Sequence, residues 1–198
     1  MTKGFVAQMI VKPSAEGLMS QVRAAGRKGP PPVHLWDPPY CGEIDIRIAR
    51  DGTWFYLGTP IGRPALVKLF ASILKREGDS YFLVTPVEKV GIRVDDAPLL
   101  AVDVTATGTG RQQILRFVTR TEDEVEADAL HPITVKIAET GEPAPYIHIR
   151  RGLNALIDRK SFYRLVELGC HEPQDHESWF GLWSHGLFFP VIRSAELP

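Results

Sequence analysis

The sequence predicts an α+β protein of two small domains related by internal duplication, each built from antiparallel strands and one main helix. Three observations predict it. Asp51-Gly52 stands between two alternating apolar runs, the strongest short-range signal for a hairpin. Behind it Leu66, Leu69, Phe70, Ile73 and Leu74 recur at the spacing of an amphipathic helix. The order of strand, glycine turn, apolar run and helix then returns after residue 146.

Taken as a two-residue loop, Asp51-Gly52 sets Ile48 opposite Phe55 and Ile46 opposite Leu57 on one face, and Ala49 opposite Trp54 and Arg47 opposite Tyr56 on the other. The first face is expected to be core. The helix that follows should bury Leu69 and Phe70, turn Lys68, Ser72 and Lys75 to solvent, and stop at Gly78. Strands are expected at 81–84 and 90–94, and the first domain closes near residue 97.

In the second half, strands are expected at 99–107, 114–118, 133–137 and 146–150, with Gly108-Thr109-Gly110 as a turn. A helix runs from an Asp158 cap to a Gly169 stop, with Phe162, Leu165 and Val166 inward. Matching Ile46-Arg47-Ile48 to Ile147-His148-Ile149, Gly52 to Gly152, and Leu66, Leu69, Phe70 to Phe162, Leu165, Val166 makes 43–87 and 146–191 equivalent units. Chance recurrence of two common patterns is the alternative, as is a single continuous sheet. Ahead of both lie an apolar run from Phe5 to Val11, a helix between Ser14 and Gly26, and a proline-broken linker at 27–32. The expected domains are therefore 1–32 as a helical extension and linker, 33–97, and 98–198.

At 198 residues, with 44% hydrophobic and 24% charged residues, the chain can bury a core without disulfides or a metal. A net charge of −1 gives no global attraction to nucleic acid or anionic lipid. No apolar run has the length of a membrane span, so a cytoplasmic protein is expected. Cys41 and Cys170, far apart and outside any CxxC, read as two thiols.

Few motifs carry chemistry. Gly108-Thr109-Gly110 lacks the third glycine and the helix of a dinucleotide fingerprint, and neither a P-loop nor a GxSxG elbow occurs. The stretch Cys170 to Glu177 with His185 is dense in metal-binding residue types, yet Pro173 breaks any single-helix HExxH geometry. It reads as a polar surface loop, or as the site of a metal- or thiol-dependent hydrolase. Asp95-Asp96 reads as a solvated turn. The better candidate is the second hairpin face, where Arg47, Trp54 and Tyr56 meet the helix entry at Arg63: aromatics stack bases, arginine holds phosphate, and the N–H groups of Ile61, Gly62 and Arg63 face an anion. Burial of those aromatics is the competing reading.

The stretch from Trp36 to Pro98, above all DGTWFYLGTPIGR and LVTPVEK, resembles the proteobacterial family named domain of unknown function 1285 (DUF1285), with similarity over about residues 33–198. The resemblance implies a duplicated two-domain fold whose C-terminal half is superficially like pleckstrin-homology domains. It also implies a nucleotide-like ligand between the domains and a link to signalling. It brings no catalytic residues and no cofactor. The expected function is a non-enzymatic regulatory protein holding its ligand with Arg47, Trp54, Tyr56, Arg63 and Lys89 in an inter-domain cleft, with the hydrolase as alternative.

Overall fold

The computed structural model describes residues 13–24, 31–137, 142–174 and 176–197. The run from Phe5 to Val11, Gly26, residues 27–30 of the linker and Asp175 of the Cys170–His185 stretch lie outside them.

Helix α1 (Ala15–Ala24) opens on Ser14, whose hydroxyl accepts from the Gly17 N–H at 3.1 Å. Leu18 is fully buried in the core, and Gln21 bonds both Thr85 and Glu88, so α1 belongs to the body of the first domain.

Strand β1 (Tyr40–Ile48) alternates from Glu43 onward, with Ile44, Ile46 and Ile48 buried and Asp45 and Arg47 outside. It turns into β2 (Trp54–Tyr56), but not through a two-residue loop. Gly52 N–H donates to Ala49 O and Ala49 N–H to Thr53 O, both at 2.9 Å, enclosing a three-residue loop in which only Gly52, at φ +77°, is left-handed. The extra residue slips the expected register by one: Ile48 faces Trp54, Arg47 faces Phe55 and Ile46 faces Tyr56. Trp54 and Tyr56 thereby join the core side, and Phe55 takes their expected place beside Arg47.

After β3 (Thr59–Pro60) comes α2 (Pro64–Ser72), started by a proline whose missing N–H is no loss in a first turn. Phe70 is fully buried, Leu69 half-buried and Lys68 exposed. The helix stops six residues before Gly78. Ile73 and Leu74 leave it, and β4 (Leu74–Glu77) pairs with β5 (Ser80–Val84) around Gly78 and Asp79, so Gly78 serves a strand turn. Strand β6 (Lys89–Val94) pairs antiparallel with β5 and parallel with β1, closing a six-stranded sheet ordered β3-β2-β1-β6-β5-β4.

The second domain carries β7 (Leu99–Thr107), β8 (Ile114–Thr119), β9 (Glu124–Glu126), β10 (Ile133–Ile137), β11 (Pro143–Arg150) and β12 (Leu153–Ile157) in a sheet ordered β10-β11-β12-β7-β8-β9. Helix α3 (Arg159–Leu168) is capped by Asp158, whose carboxylate accepts from Ser161 N–H at 2.7 Å. Leu165 is buried, but Val166, expected inward, is 42% exposed. Strands β13 (Cys170–Gln174), β14 (Glu177–Ser184) and β15 (Leu187–Arg193) form a three-stranded meander, so the expected polar loop after Cys170 is paired backbone. Bonds from Gln113 and Leu115 to Trp183 and Ser184 fasten it to the larger sheet.

Hairpin, helix and three-stranded meander thus recur in the same order, with Gly52 and Gly152 both in turns. The pairing differs: β6 returns to β1 within one sheet, whereas β12 pairs parallel with β7 and the second meander stands apart. The two domains share one apolar core running from Leu18 through Phe70 and Phe117 to Phe189. Each offers its hairpin turn to the other. Gly52 lies so close to Leu100 that a Cβ would stand 2.9 Å from the leucine's, and Gly152 O accepts from Arg76 at 3.3 Å.

Candidate functional site

The five residues singled out from sequence do not converge. Trp54 is 3% exposed and stacks on Phe70 at 6.3 Å, inside its own domain. Tyr56 packs half-buried against the same core. Arg47 does face outward, but Asp95 holds it through two bonds of 2.9 and 2.5 Å, and its guanidinium lies 5.6 Å from the Phe55 ring. That bond holds the Asp95 carboxyl below its usual range and pushes the Arg47 pKa up. Arg63 is exposed at the start of α2, where the expected cradle is incomplete because Ile61 N–H already donates to Trp54 O at 2.8 Å. Lys89 sits on the outer face of the first sheet, 2.9 Å from Glu77 and 5.1 Å from the Phe82 ring.

The Cys170–His185 stretch is likewise dispersed. His171 Nδ1 lies 2.8 Å from Ser194 Oγ, Glu172 accepts from the Trp183 indole, and His185 reaches Glu126 at 2.8 Å. Burial pushes the Cys170 thiol up, away from a reactive thiolate. Among the described residues no group of three His, Cys, Asp or Glu is placed to hold a metal. Nor is any helix among them long and apolar enough to cross a membrane.

What the fold does build is a cleft of about 690 Å³ between the domains. The first domain supplies the last turn of α2 with Lys68 and Ala71, then Leu74, Lys75 and Arg76 of β4, and the Pro31–His34 arm. The second supplies Thr121 and Asp123 from the β8–β9 turn, and Arg150, Arg151 and Leu153 from the β11–β12 hairpin. Prolines 31 and 32, Val33, Ala71, Leu74 and Leu153 make an apolar floor. Among the described residues, five lysine or arginine side chains stand around it against one carboxylate, Asp123.

These cations differ in their freedom. Arg150 is committed: it pairs with Asp123 and donates to Ala71 O at 2.9 Å, satisfying a carbonyl at the C-terminal end of α2 and tying the domains together. Lys68 pairs with Glu122 across the junction, and Lys75 and Arg76 reach Glu77 and Asp79 at 2.8 and 3.2 Å. Arg151 has no carboxylate partner among the described residues and is exposed at the mouth. Its φ is +45°, and with Gly152 at +76° it forms a two-residue turn whose first position normally takes Asn, Asp or Gly.

Residue-by-residue reading could not find this site, since its cations come from segments about eighty residues apart. One signal was available: an arginine before glycine at a hairpin turn, where arginine is a poor choice.

Family models support the assignment by sequence. The DUF1285 N-terminal domain matches residues 31–97, and the DUF1285 C-terminal domain matches residues 98–191. A crystal structure of a DUF1285 family protein from Silicibacter pomeroyi DSS-3 is similar at 62% identity, with a TM-score of 0.83, covering 91% of this chain and 97% of that one. Another, from Shewanella baltica OS155, is similar at 34% identity and a TM-score of 0.50, over 63% of this chain and 91% of that one. No curated protein matches. With both halves matched in order and a relative this similar over nearly its whole length, the chain belongs to the DUF1285 family.

Proposed function

We propose that the protein is a regulatory, non-enzymatic binder of a nucleotide-like, phosphorylated small molecule held in the cleft between its domains. The observation that carries this reading is the lining: among the described residues, five cationic side chains against one carboxylate, over an apolar floor. A volume of about 690 Å³ is that of an ordinary small-molecule site. Arg151 is the residue best placed to take a phosphate, because it is exposed, lacks a carboxylate partner among the described residues, and can offer two parallel N–H donors. Its left-handed backbone is the kind of local strain that functional residues carry. The regulatory part follows from the walls: both domains contribute to the cleft, so a ligand bridging them changes the free energy of domain association.

Calorimetric titration with pyrophosphate and a panel of nucleotides tests this. Binding near micromolar is expected, weakening with salt as exposed ion pairs do. Arg151→Asn, which suits the turn better, should weaken it by about 10- to 100-fold, the worth of one charge-assisted bond. Absence of binding at millimolar concentration, or an unaltered affinity in Arg151→Asn, would sink the assignment.

A further inference from the structure

The turn that presents Arg151 to the cleft is strained, and a strained turn keeps its shape only where its neighbours hold it. Two neighbours do so, one at each end of Gly152. Its carbonyl accepts from Arg76 Nη1 of the first domain at 3.3 Å, and its N–H donates to His148 Nε2 at 3.1 Å. His148 lies on β11 opposite Asn154 of β12, at the base of the turn.

These partners fix the tautomer of the ring. Nδ1 lies 2.8 Å from Leu130 O, and a carbonyl only accepts, so Nδ1 carries the proton. The Gly152 N–H only donates, so Nε2 is bare and the ring is neutral. A proton added at Nε2 sets donor against donor and removes the bond to Gly152. Histidine is the side chain that ordinarily changes charge between about pH 5 and about pH 8. The charged groups on the elements around it are already matched. His131, in the loop before β10, has its ring 6.1 Å away and holds Asp128 at 3.0 Å. Lys136 of β10 lies over the Tyr146 ring, and Tyr146 donates to Asp96. Arg150 of β11 is paired with Asp123, and Arg76, across the junction, with Asp79. Every carboxylate in this set has its partner. Because Leu153 lines the cleft, its neighbour Asn154 and the His148 opposite Asn154 lie on the other face of the hairpin. Protonation therefore acts on the turn itself and adds no charge inside the cleft.

We propose that His148 gates anion binding by pH: neutral, it holds the Gly152 N–H and keeps the Arg151 turn formed; protonated, it releases the turn, and the cleft loses part of its grip on phosphate. The inference rests on the anion-binding reading of the cleft and assigns that site its regulation.

The turn can be followed with no ligand present. In ¹H–¹⁵N correlation spectra of the full chain between about pH 8 and about pH 5.5, the Gly152 amide should move with the same midpoint as the His148 ring. His148→Gln, whose side-chain oxygen accepts at a similar reach and stays uncharged, should hold that amide in place across the range. Calorimetry with pyrophosphate at both ends of the range then reads the cleft. The anion's own ionisation is common to every variant, so ratios between variants isolate the protein. On acidification the native chain should lose about three- to tenfold more affinity than His148→Gln, the worth of one hydrogen bond. His148→Ala, lacking the acceptor, should bind weakly at both pH values, and His131→Gln, which removes the neighbouring ring, should keep the native dependence. A Gly152 amide that ignores the His148 titration overturns the proposal, and it does so in the native chain even if no variant folds. Equal pH dependence in the native chain and His148→Gln also overturns it, while leaving the cleft as an anion site. Pyrophosphate bound at neither pH, with the Gly152 amide still following His148, overturns the anion-binding reading and this regulation of it, but not the hold of His148 on the turn.

Discussion

Trp54 shows how far one residue's environment governs the reading of a surface. On the outer face of the hairpin it would be a stacking platform; on the inner face, stacked on Phe70 and 3% exposed, it is one of the largest side chains in the core. Arg47 and Arg63 divide similarly, the first committed to Asp95, the second exposed at a helix start. Trp54→Ala should therefore cost about 3–5 kcal/mol of stability, and Arg63→Ala should stay within about 0.5 kcal/mol. Chemical denaturation of the two variants checks this, and similar small losses for both would return Trp54 to the surface. The Arg47–Asp95 bond has an acid signature. A carboxylate whose folded pKa is depressed stabilises the fold above its unfolded pKa, and that contribution fades as pH falls through the folded value.

At the scale of elements, most of the fold was legible because apolar periodicity is local: β1, β5, β6, β7, β8, β10, β11 and α3 all lie where alternation or a helical stripe put them. What was not legible is the hairpin register. An Asp-Gly pair fits both a two-residue loop and the last two positions of a three-residue loop, and the choice between them reverses every side chain of the strand. α2 was overextended for a related reason, since Ile73 and Leu74 continue the helical stripe in sequence while their backbone starts a strand edge. The chain does hold a two-residue loop with both φ values positive, at Arg151-Gly152, and there the residue type is unfavourable. Arg151→Asn should consequently raise stability by about 1 kcal/mol, the lower end of the cost of a non-glycine left-handed residue, even as it weakens anion binding. A melt showing stability lost together with affinity would mean that Arg151 is structural.

At the scale of the whole molecule, two domains hold together by exchanging hairpin turns, and the exchange can be measured. Gly52 and Gly58 have nearly the same left-handed φ, +77° and +74°, but a Cβ on Gly52 meets Leu100 of the other domain at 2.9 Å while one on Gly58 meets nothing within 4 Å. Each alanine should carry about 1–2 kcal/mol of backbone strain, and the excess loss in Gly52→Ala is the contact between domains. Equal losses would mean that the turn docks loosely. The junction's second tie, the Tyr146 hydroxyl on Asp96, has its own pH dependence. Burial, then the hydrogen bond to a carboxylate, push the Tyr146 pKa up to about 12 from an ordinary 10.0. Because the folded chain holds this proton more tightly than the unfolded one, its contribution is complete below pH 10 and is lost as pH rises toward 12. Native-state titration followed at the phenolate absorbance should show one tyrosine ionising last and coupled to unfolding. Tyr146→Phe should be less stable at neutral pH and lose less stability between pH 10 and 12. Some alkaline slope should persist in the variant, since burial raises Tyr81 as well. If the slope of the variant matches that of the native chain, the Tyr146–Asp96 bond does not fasten the domains, and their association rests on the shared core, the docked hairpin turns and the Arg150 and Lys68 ion pairs.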